Sequence, residues 1–319
     1  MTTASYVING QAVQRRISAA TVARVREVVE RYAYRPDQQA AGLRRGQSRC
    51  LGLIIPDLEN PSYARTAKLL EQRARAVGYQ LLIASSDDEP DSERQLVELF
   101  RSRRCDALVV ASCLPQDDHT YAQLVDVGLP VIALDRALDS RYIRSVVSDD
   151  RQAGALLTRS LLNPLPAHVA LIGARPELPI SQAREAGFRE GLDGFAGKLS
   201  VLHGAEFSRA CGCKQMQALL RDGPMPDALI TTAYVLLEGV LEALQHVSPD
   251  VPPRLATFGD TRLLDFLPLR VNAISQQHER LAERILHWAL QAIEHGDYQP
   301  GLEAIPRVLK HRSRREGAH

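Results

Sequence analysis

Charged side chains follow several apolar runs of this sequence, at positions where buried strands would end. Asp135 and Arg136 come directly after the run 131–134, and Arg184 lies after the run 169–172, near the start of a helical pattern. Guanidinium groups bind phosphate through paired hydrogen bonds. An arginine taken at random more often forms a surface salt bridge, but a position at a strand end favours a binding role. The two arginines therefore predict a site for an anionic ligand.

Other polar residues occupy comparable positions after further apolar runs: Asp57, residues 85–88, Gly259, Asp260 and Gln276. Ligands of parallel α/β folds bind beyond the carboxyl ends of strands and between lobes. The sequence contains no G-x-G-x-x-G, G-x-x-x-x-G-K-S/T, G-x-S-x-G or H-E-x-x-H motif, and these motifs mark common cofactor, nucleotide and catalytic sites. We therefore expect a binding protein without enzyme activity, metal or cofactor.

The cysteines and the apolar pattern indicate the cellular compartment of the protein. The five cysteines form no disulfide framework, which favours a reducing cytosol. No apolar run approaches the roughly 18 to 20 residues that span a bilayer, and residues 1–6 lack a signal-peptide pattern. We interpret Cys211-Gly212-Cys213 as a loop or a partly buried thiol, and Asp149-Asp150 as a helix cap. A cytoplasmic protein is expected.

The net charge of +1 over 319 residues conceals an uneven distribution. Nine arginines and three acidic residues give residues 1–49 a formal charge of +6, and the remaining residues carry −5. A basic segment on a mildly acidic remainder indicates contact with a polyanion such as nucleic acid. On charge alone, a solvated helical surface explains the arginines equally well.

Helical patterns dominate the first 49 residues. Residues 2–9 predict a short helix that stops at Gly10, and Ser18 predicts the N-cap of a second, amphipathic helix over residues 21–32. Pro36 then interrupts the pattern, and a short basic helix is predicted from residue 37 to residue 43. About 45 residues of this kind are marginal for independent folding.

Apolar runs alternate with helical patterns from residue 50 onward. Strands are predicted at 51–55, 80–84, 107–111, 131–134, 146–147, 169–172, 228–231, 255–258 and 272–274. Helices are predicted at 63–77, 92–103, 151–162, 184–192, 236–245 and 279–294. Apolar strands separated by helices indicate parallel sheets covered on both faces. The number of repeats exceeds one sheet, so we predict two α/β lobes that divide near residues 148–150.

Several stretches together resemble the lactose-repressor/galactose-repressor family of bacterial transcription regulators. They are residues 3–10 (Thr-Ala-Ser-Tyr-Val-Ile-Asn-Gly), 17–21 (Ile-Ser-Ala-Ala-Thr), 34–37 (Tyr-Arg-Pro-Asp), 39–44, 53–61 and 184–188 (Arg-Glu-Ala-Gly-Phe). The similarity covers nearly the whole chain. Residues 5–10, 133–138, 256–260 and 263–267 further resemble the branch of the family that responds to fructose phosphates.

The resemblance implies a DNA-binding head followed by a two-lobed core like that of periplasmic binding proteins. The implied division is a helix-turn-helix head at 1–36, a hinge helix and linker at 37–49, an N-terminal lobe at 50–148 plus about 278–303, a C-terminal lobe at 149–277 plus about 304–312, and a tail at 313–319. The family's head begins with a further helix that is absent here. We therefore expect an incomplete head that binds operator DNA weakly or not at all.

The resemblance also implies how a homodimer, or possibly a tetramer, would contact operator DNA. Residues 2–9 would lie in the major groove. The residues that would reach bases or phosphates are Thr2, Thr3, Ser5, Tyr6, Asn9, Ser18 and Thr21. Residues 37–44 would form a hinge helix whose Leu43 wedges into the minor groove and kinks the DNA.

The implied effector is fructose 1-phosphate or, more weakly, fructose 1,6-bisphosphate. By the same resemblance, Arg136 and Arg184 would hold phosphate, and Asp135 would accept hydrogen bonds from sugar hydroxyls. Ser62, Tyr63, Gly259, Asp260 and Gln276 are secondary candidates for effector contacts. Effector binding would close the lobes and release the DNA.

Two departures from the family's pattern concern this site. The usual Ala-Asn-Asp reads Thr232-Ala233-Tyr234, and the usual Gly-Phe-Asp-Asp reads Thr257-Phe258-Gly259-Asp260. Each carboxylate removed from a cleft reduces the repulsion of phosphate. The departures therefore favour a sugar phosphate over a neutral sugar.

Other functional classes remain as alternatives. A sugar-binding protein of the periplasmic type shares the core but requires a signal peptide and no basic head. A stand-alone sugar-phosphate-binding protein without DNA binding is the second reading. An α/β enzyme such as a sugar kinase or dehydrogenase is the third, and the lack of a phosphate-binding glycine loop argues against most such enzymes.

Overall fold

The computed structural model of the protein describes residues 2–8, 10–32, 47–115, 117–245, 247 and 252–312. The chain forms two compact units, Met1–Arg49 and Cys50–His319. None of the helices in these described ranges is both long and apolar enough to cross a membrane. The hinge helix predicted at 37–44 and the tail predicted at 313–319 lie outside the described residues.

The first unit contains two helices, α1 (Thr3–Ile8) and α2 (Ala19–Arg31). Gly10 follows α1 with a φ of 71°, the left-handed conformation that glycine adopts without strain. The Ser18 Oγ accepts a hydrogen bond of 3.3 Å from the backbone N–H of Thr21, which caps α2. The two predicted helices, the glycine stop and the serine cap are confirmed.

The contact between these two helices is small. Among the hydrophobic side chains described in this unit, Val7 alone is buried. Large apolar side chains of the same unit are exposed: Val13, Val28 and Tyr32. Burial of one valine contributes only about 1.5–3 kcal/mol, so the packing holds α1 weakly on α2.

The second unit begins with an N-terminal lobe of alternating strands and helices. Its elements are β1 (Cys50–Ile55), α3 (Pro61–Ala76), β2 (Gln80–Ser85), α4 (Pro90–Ser102), β3 (Ala107–Val110), α5 (Thr120–Asp126), β4 (Val131–Leu134) and β5 (Arg144–Ser148), completed by α10 (His278–His295) and β11 (Gly301–Ile305) from later in the chain. The strands form one parallel sheet in the order β11-β5-β4-β3-β1-β2.

The C-terminal lobe repeats this plan with the intervening part of the chain. Its elements are α6 (Asp150–Arg159), β6 (His168–Ala174), α7 (Pro179–Gly191), β7 (Lys198–Gly204), α8 (Arg209–Arg221), β8 (Ala228–Thr231), α9 (Tyr234–Leu244), β9 (Arg254–Phe258), a 3-10 helix (Arg262–Asp265), β10 (Val271–Ser275) and β12 (Val308–Lys310). The sheet order is β12-β10-β9-β8-β6-β7, with β12 antiparallel to β10.

All nine predicted strands are present, and the structure adds β7, β11 and β12. The three additional strands lie at sheet edges. They are partly exposed, so they do not form the continuous apolar runs that identify buried strands. Helices α5 and α8 were not among the predicted helices. Cys211-Gly212-Cys213 lies in α8, so the loop interpretation of that pair is wrong, and the alternative of a partly buried thiol is confirmed, because Cys211 is buried and Cys213 is half-buried.

Three segments of chain cross between the lobes. They follow β5, β10 and β11. The first and third crossings are in contact. Asp149 follows β5, and its backbone N–H donates to the carbonyl of Ile305, the last residue of β11, at 2.9 Å. The third crossing falls at Pro306 and Arg307, two residues later than the position of about 304 expected for it.

A close approach of α6 and α7 organises one side of the cleft between the lobes. A Cβ at Gly187 would meet the carbonyl oxygen of Arg151 at 2.0 Å, and a Cβ at Gly154 would meet the carbonyl oxygen of Arg184 at 2.8 Å. Both glycines therefore allow the helix backbones to touch. Arg184 lies one turn before Gly187, so this packing carries its side chain to Asp150 at the start of α6.

Candidate functional site

A cavity of about 390 Å³ lies between the two lobes at the carboxyl ends of their strands. The sequence-predicted effector residues all line it: Ser62, Tyr63, Asp135, Arg136, Arg184, Gly259, Asp260 and Gln276. The structure adds several lining residues that the sequence did not single out: Arg65, Ile180, Phe207, Tyr234, Phe258, His278 and Arg307.

Asp135 accepts hydrogen bonds from both lobes. It follows β4 in the left-handed conformation, with a φ of 64°. One carboxylate oxygen accepts from the Tyr63 hydroxyl at 2.9 Å, and the other accepts from the Gln276 amide nitrogen at 2.6 Å. The Gln276 amide oxygen in turn accepts from the Ser62 hydroxyl at 2.5 Å. These four predicted residues form one hydrogen-bonded chain across the cleft.

The charge state of Asp135 follows from its neighbours. Burial opposes its ionisation, but the charges of Arg184 and Arg307 outweigh that effect and hold the pKa of Asp135 below its usual value. Burial and the Asp135 charge raise the pKa of Tyr63 well above its ordinary value, so the phenol stays protonated. The carboxylate is therefore an ionised acceptor, suited to a hydroxyl donor.

Arg136 is nearly fully buried beside Asp135. Its Nη1 and Nη2 donate to the two carboxylate oxygens of Asp88 at 2.5 and 3.1 Å, and Nη1 also donates to the Ser112 carbonyl at 3.3 Å. Burial disfavours the guanidinium charge, but Tyr63 and Asp88 outweigh it and raise the pKa of Arg136. Its buried Nε has no hydrogen-bond partner among the described residues.

Arg184 projects into the cleft from α7, which begins at Pro179 rather than at Arg184 itself as predicted. Its Nε donates to Asp150 at 3.1 Å, and its Nη1 donates to the Thr232 carbonyl at 2.7 Å. The guanidinium carbon lies 4.8 Å from the centroid of the Phe258 ring. A cation at this distance from an aromatic face is stabilised.

Arg307 is a third buried guanidinium, and sequence reasoning missed it. Its side chain is 3% exposed, and its Nε lies 2.9 Å from an Asp150 carboxylate oxygen. The Nε is therefore paired with Asp150, whereas the buried Nη2 makes no hydrogen bond to a described residue. Burial lowers the pKa of Arg307 although Asp150 opposes the shift. A buried donor of a cation is therefore open to an anionic acceptor.

Carboxylates remain in the cleft despite the two departures from the family's pattern. Asp88, Asp135 and Asp150 all lie within 4.0 Å of an arginine nitrogen. Each carboxylate is thus charge-paired, which reduces its repulsion of an entering anion. The suitability of the site for phosphate rests on incompletely bonded arginines rather than on a lack of acidic groups.

Gly259 and Asp260 line the opposite wall of the cavity. Gly259 follows β9 with a φ of 92°, and a Cβ there would lie 3.2 Å from the Tyr234 Cβ. Glycine adopts this conformation without strain. Asp260 is held by the side chain of Arg312, and its other oxygen lies 3.7 Å from the Lys310 Nζ.

No group of three His, Cys, Asp or Glu side chains with metal-binding geometry occurs in the described ranges. A histidine also lines the cavity, His278 at the start of α10. Its Nδ1 lies 2.9 Å from the Thr66 hydroxyl. Burial and the charge of Arg307 lower its pKa from 6.5 to about 4, so the ring is neutral near pH 7.

The predicted DNA contacts lie in the first unit. Thr2 and Thr3 are exposed, and Ser5 and Tyr6 are half-buried. The guanidinium of Arg15 lies 4.8 Å from the centre of the Tyr6 ring. This pairing keeps a positive charge beside the polar side chains of α1.

The remaining predicted DNA contacts divide into two sets. Ser18 and Thr21 share a hydrogen bond of 2.9 Å between their hydroxyls at the start of α2. The helix N-terminus and these hydroxyls are suited to a phosphate contact. Asn9 and Leu43 lie outside the described residues.

Comparisons with known proteins agree with the two-lobed cleft. A family model described as periplasmic binding proteins and the sugar-binding domain of the LacI family matches residues 48–247. The chain is 50% identical over 314 residues to the fructose operon regulatory protein of Vibrio cholerae serotype O1, covering 98% of this chain and 96% of that protein. It is 42% identical over 315 residues to the catabolite repressor/activator of Escherichia coli K12, covering 98% and 94%.

A solved structure shows the same core. The crystal structure of the Cra transcriptional dual regulator from Pseudomonas putida in complex with fructose 1-phosphate has a TM-score of 0.82 and 59% sequence identity, covering 83% of this chain and 99% of that one. The predicted resemblance to the fructose repressor, also called the catabolite repressor/activator, is confirmed. The chain therefore belongs to the LacI family of transcription regulators.

Proposed function

We propose that this chain is a DNA-binding transcription regulator of fructose and central carbon metabolism, and that fructose 1-phosphate bound in the cleft releases it from operator DNA. The observation that carries the proposal is the set of three buried arginines, two of which keep buried N–H groups without an acceptor. The Pseudomonas putida relative, which is in complex with fructose 1-phosphate, supports the same ligand.

The phosphate is assigned to the arginine side of the cavity. Arg136, Arg184 and Arg307 present guanidinium groups that suit the oxygens of a phosphate. Asp135 and Gln276 are assigned to the sugar hydroxyls, because an ionised carboxylate and an amide accept hydrogen bonds from hydroxyl groups. The ring of Phe258 lies 4.8 Å from the guanidinium carbon of Arg184 and 5.4 Å from that of Arg307, so it stabilises both cations.

Ligand binding is coupled to DNA through the arrangement of the lobes. The cavity has walls from both lobes, so a ligand that contacts both favours their closure. In a homodimer, that change would separate two DNA-binding heads.

Asp260 lies on the same wall as Gly259, and we assign both to the sugar end of the ligand.

The decisive experiment is calorimetry of the purified chain with fructose 1-phosphate, fructose 1,6-bisphosphate and fructose. We expect fructose 1-phosphate to bind most tightly and fructose at least about 30-fold more weakly, since a buried charged group left unpaired costs about 2–5 kcal/mol. Fructose bound as tightly as its 1-phosphate would contradict the proposal. Inorganic phosphate serves as the control for the anion alone.

A gel-shift titration separates the regulator from a stand-alone sugar-phosphate-binding protein. Because Val7 is the one buried hydrophobic side chain described between residues 2 and 32, we expect this chain to bind operator DNA more weakly than a tightly packed head would. Fructose 1-phosphate should reduce whatever binding is present. Operator binding that fructose 1-phosphate leaves unchanged would contradict the coupling.

A further inference from the structure

An acidic residue and a basic residue face each other across the cleft, beside the predicted phosphate contacts. Asp88 follows β2 in the N-terminal lobe, and Arg175 follows β6 in the C-terminal lobe. The Asp88 Oδ2 lies 3.9 Å from the Arg175 Nη1, and the two side chains are 21% and 20% exposed. The pair is at the outer limit of an ion pair and is only partly formed.

Both partners are shared with other groups in the same lobe. Asp88 is bound through both carboxylate oxygens to Arg136. The Arg175 Nε donates to the Glu177 carboxylate. A stronger contact between Asp88 and Arg175 therefore requires each of them to loosen a bond that it makes now.

The backbone at both positions is in a conformation that ordinary side chains rarely adopt. The φ angles are 56° at Asp87, 57° at Asp88 and 50° at Arg175. Left-handed conformations cost non-glycine residues about 1–3 kcal/mol and occur where function requires them. The Asp87 N–H donates to the Pro56 carbonyl at 2.9 Å, and the Arg175 N–H donates to the Gly204 carbonyl at 2.9 Å. Each bond fixes one of these turns to a neighbouring segment of its own lobe.

A phosphate and the Asp88 carboxylate compete for the same guanidinium. Both are anionic acceptors, and Arg136 already directs Nη1 and Nη2 to Asp88. A dianionic phosphate is the stronger partner, so it weakens the bond between Asp88 and Arg136 when it binds. The carboxylate that is released lies 3.9 Å from a second guanidinium on the opposite lobe.

We propose that Arg175 is a positioning residue for sugar-phosphate binding: when phosphate engages Arg136, Asp88 exchanges Arg136 for Arg175, and the new ion pair holds the two lobes closed. Arg175 acts through Asp88 and does not contact the ligand. The inference rests on the proposed function, because it requires a phosphate at Arg136.

A double-mutant cycle on ligand affinity tests the exchange. Calorimetry with fructose 1-phosphate is run on the full chain and on Arg175→Gln, Asp88→Asn and the double variant. We expect Arg175→Gln to weaken binding about fivefold, and Arg175→Lys to restore most of the loss. In the Asp88→Asn background, Arg175→Gln should have no further effect, because the acceptor of the new pair is gone.

Glu177→Gln gives an independent prediction of opposite sign. Glu177 competes with Asp88 for Arg175, so its neutralisation should tighten fructose 1-phosphate binding about twofold to threefold. The matched control for Arg175→Gln is Arg189→Gln, which removes an arginine of the same lobe that pairs with Glu185, and neither of these two residues lines the cavity. That variant should bind like the wild type.

Three results would overturn the inference. Unchanged affinity in Arg175→Gln would exclude the exchange and leave the proposed function intact. An equal loss on the wild-type and Asp88→Asn backgrounds would show that Arg175 contacts the ligand itself. A wild-type chain that binds no fructose 1-phosphate in the same titration would overturn the proposed function and the exchange together.

Discussion

The guanidinium of Arg307 lies between two carboxylates and retains an unused donor. Its Nε is paired with an Asp150 oxygen at 2.9 Å, and its Nη2 lies 4.0 Å from an Asp135 oxygen without a hydrogen bond to a described residue. A buried donor without an acceptor costs about 1–3 kcal/mol. A ligand phosphate that accepted from this N–H group would remove this cost, so we expect Arg307 to contribute to affinity beyond its charge.

Replacement of Arg307 by glutamine tests this contribution. We expect Arg307→Gln to weaken fructose 1-phosphate binding about 30-fold or more, which corresponds to about 2 kcal/mol for a lost charge-assisted contact. The weak affinity for neutral fructose should change little. Calorimetry with both sugars measures the difference, and Arg284→Gln, whose partner is Glu303 in the N-terminal lobe, is the control. Equal losses for the two sugars would indicate a structural role for Arg307.

The sequence predicts most of the site but not this residue, for a physical reason. Asp135 and Arg136 directly follow an apolar run, and Arg184 belongs to a recognisable motif. Arg307 lies in the short crossing between β11 and β12, which pair with different sheets. Its position in the cleft depends on long-range strand pairing, which a local pattern does not contain.

At the scale of elements, the cleft depends on how closely α6 and α7 pack. Gly187 brings α7 against the backbone of Arg151, with no room for a Cβ. The side chain of Arg184 on α7 then reaches Asp150 on α6 at 3.1 Å. The glycine of the Arg-Glu-Ala-Gly-Phe motif is therefore a packing residue that positions the arginine of the same motif.

A methyl group at Gly187 should separate the two helices. Because the new Cβ would lie 2.0 Å from the Arg151 carbonyl oxygen, we expect Gly187→Ala to reduce the free energy of unfolding by about 1–3 kcal/mol. It should also weaken fructose 1-phosphate binding through displacement of Arg184. Urea denaturation and calorimetry measure the two effects.

The control for this prediction is a glycine with space around it. A Cβ at Gly223 would meet only the Lys198 Nζ at 3.4 Å, the end of a flexible side chain. Gly223→Ala should leave both the stability and the affinity close to those of the wild type. If Gly187→Ala also behaved like the wild type, the helices would not depend on backbone contact at this point.

Prediction of elements succeeds in the centre of each sheet and misses three of the four edge strands, since β2 is the one edge strand that was predicted. Central strands such as β4 and β8 are buried on both faces and appear in the sequence as short apolar runs. The edge strand β7 is partly exposed along its length, so its sequence is mixed. A prediction from apolar runs therefore recovers the central elements and β2, and omits the other three edge strands.

At the scale of the whole molecule, the crossings between lobes bring titratable groups next to the buried arginines. His278 begins α10 directly after the second crossing, and its ring contacts the hydroxyl of Thr66. The charged groups that affect it are Arg307, Glu279, Arg65 and Asp135. Burial is the largest effect and lowers the pKa of His278 from 6.5 to about 4.

This shift predicts a loss of stability in mild acid. The folded chain resists protonation of His278 down to about pH 4, whereas the unfolded chain takes up the proton near pH 6.5. Between these values the unfolded state binds more protons, so the free energy of unfolding falls as the pH falls. The full effect is about 3 kcal/mol, at 1.36 kcal/mol for each unit of pKa difference.

Urea denaturation of the wild type and of His278→Gln between pH 7.5 and about pH 4.5 measures this dependence. We expect the variant to lose less stability than the wild type over this interval, because the group that takes up the proton is gone. His287→Gln, which replaces a histidine of the same helix that packs against Trp288, should retain the wild-type slope. A His278→Gln variant with the same pH dependence as the wild type would show that other groups control acid unfolding. In that case protonation of the His278 imidazole would not be the cause of the lower free energy of unfolding in mild acid.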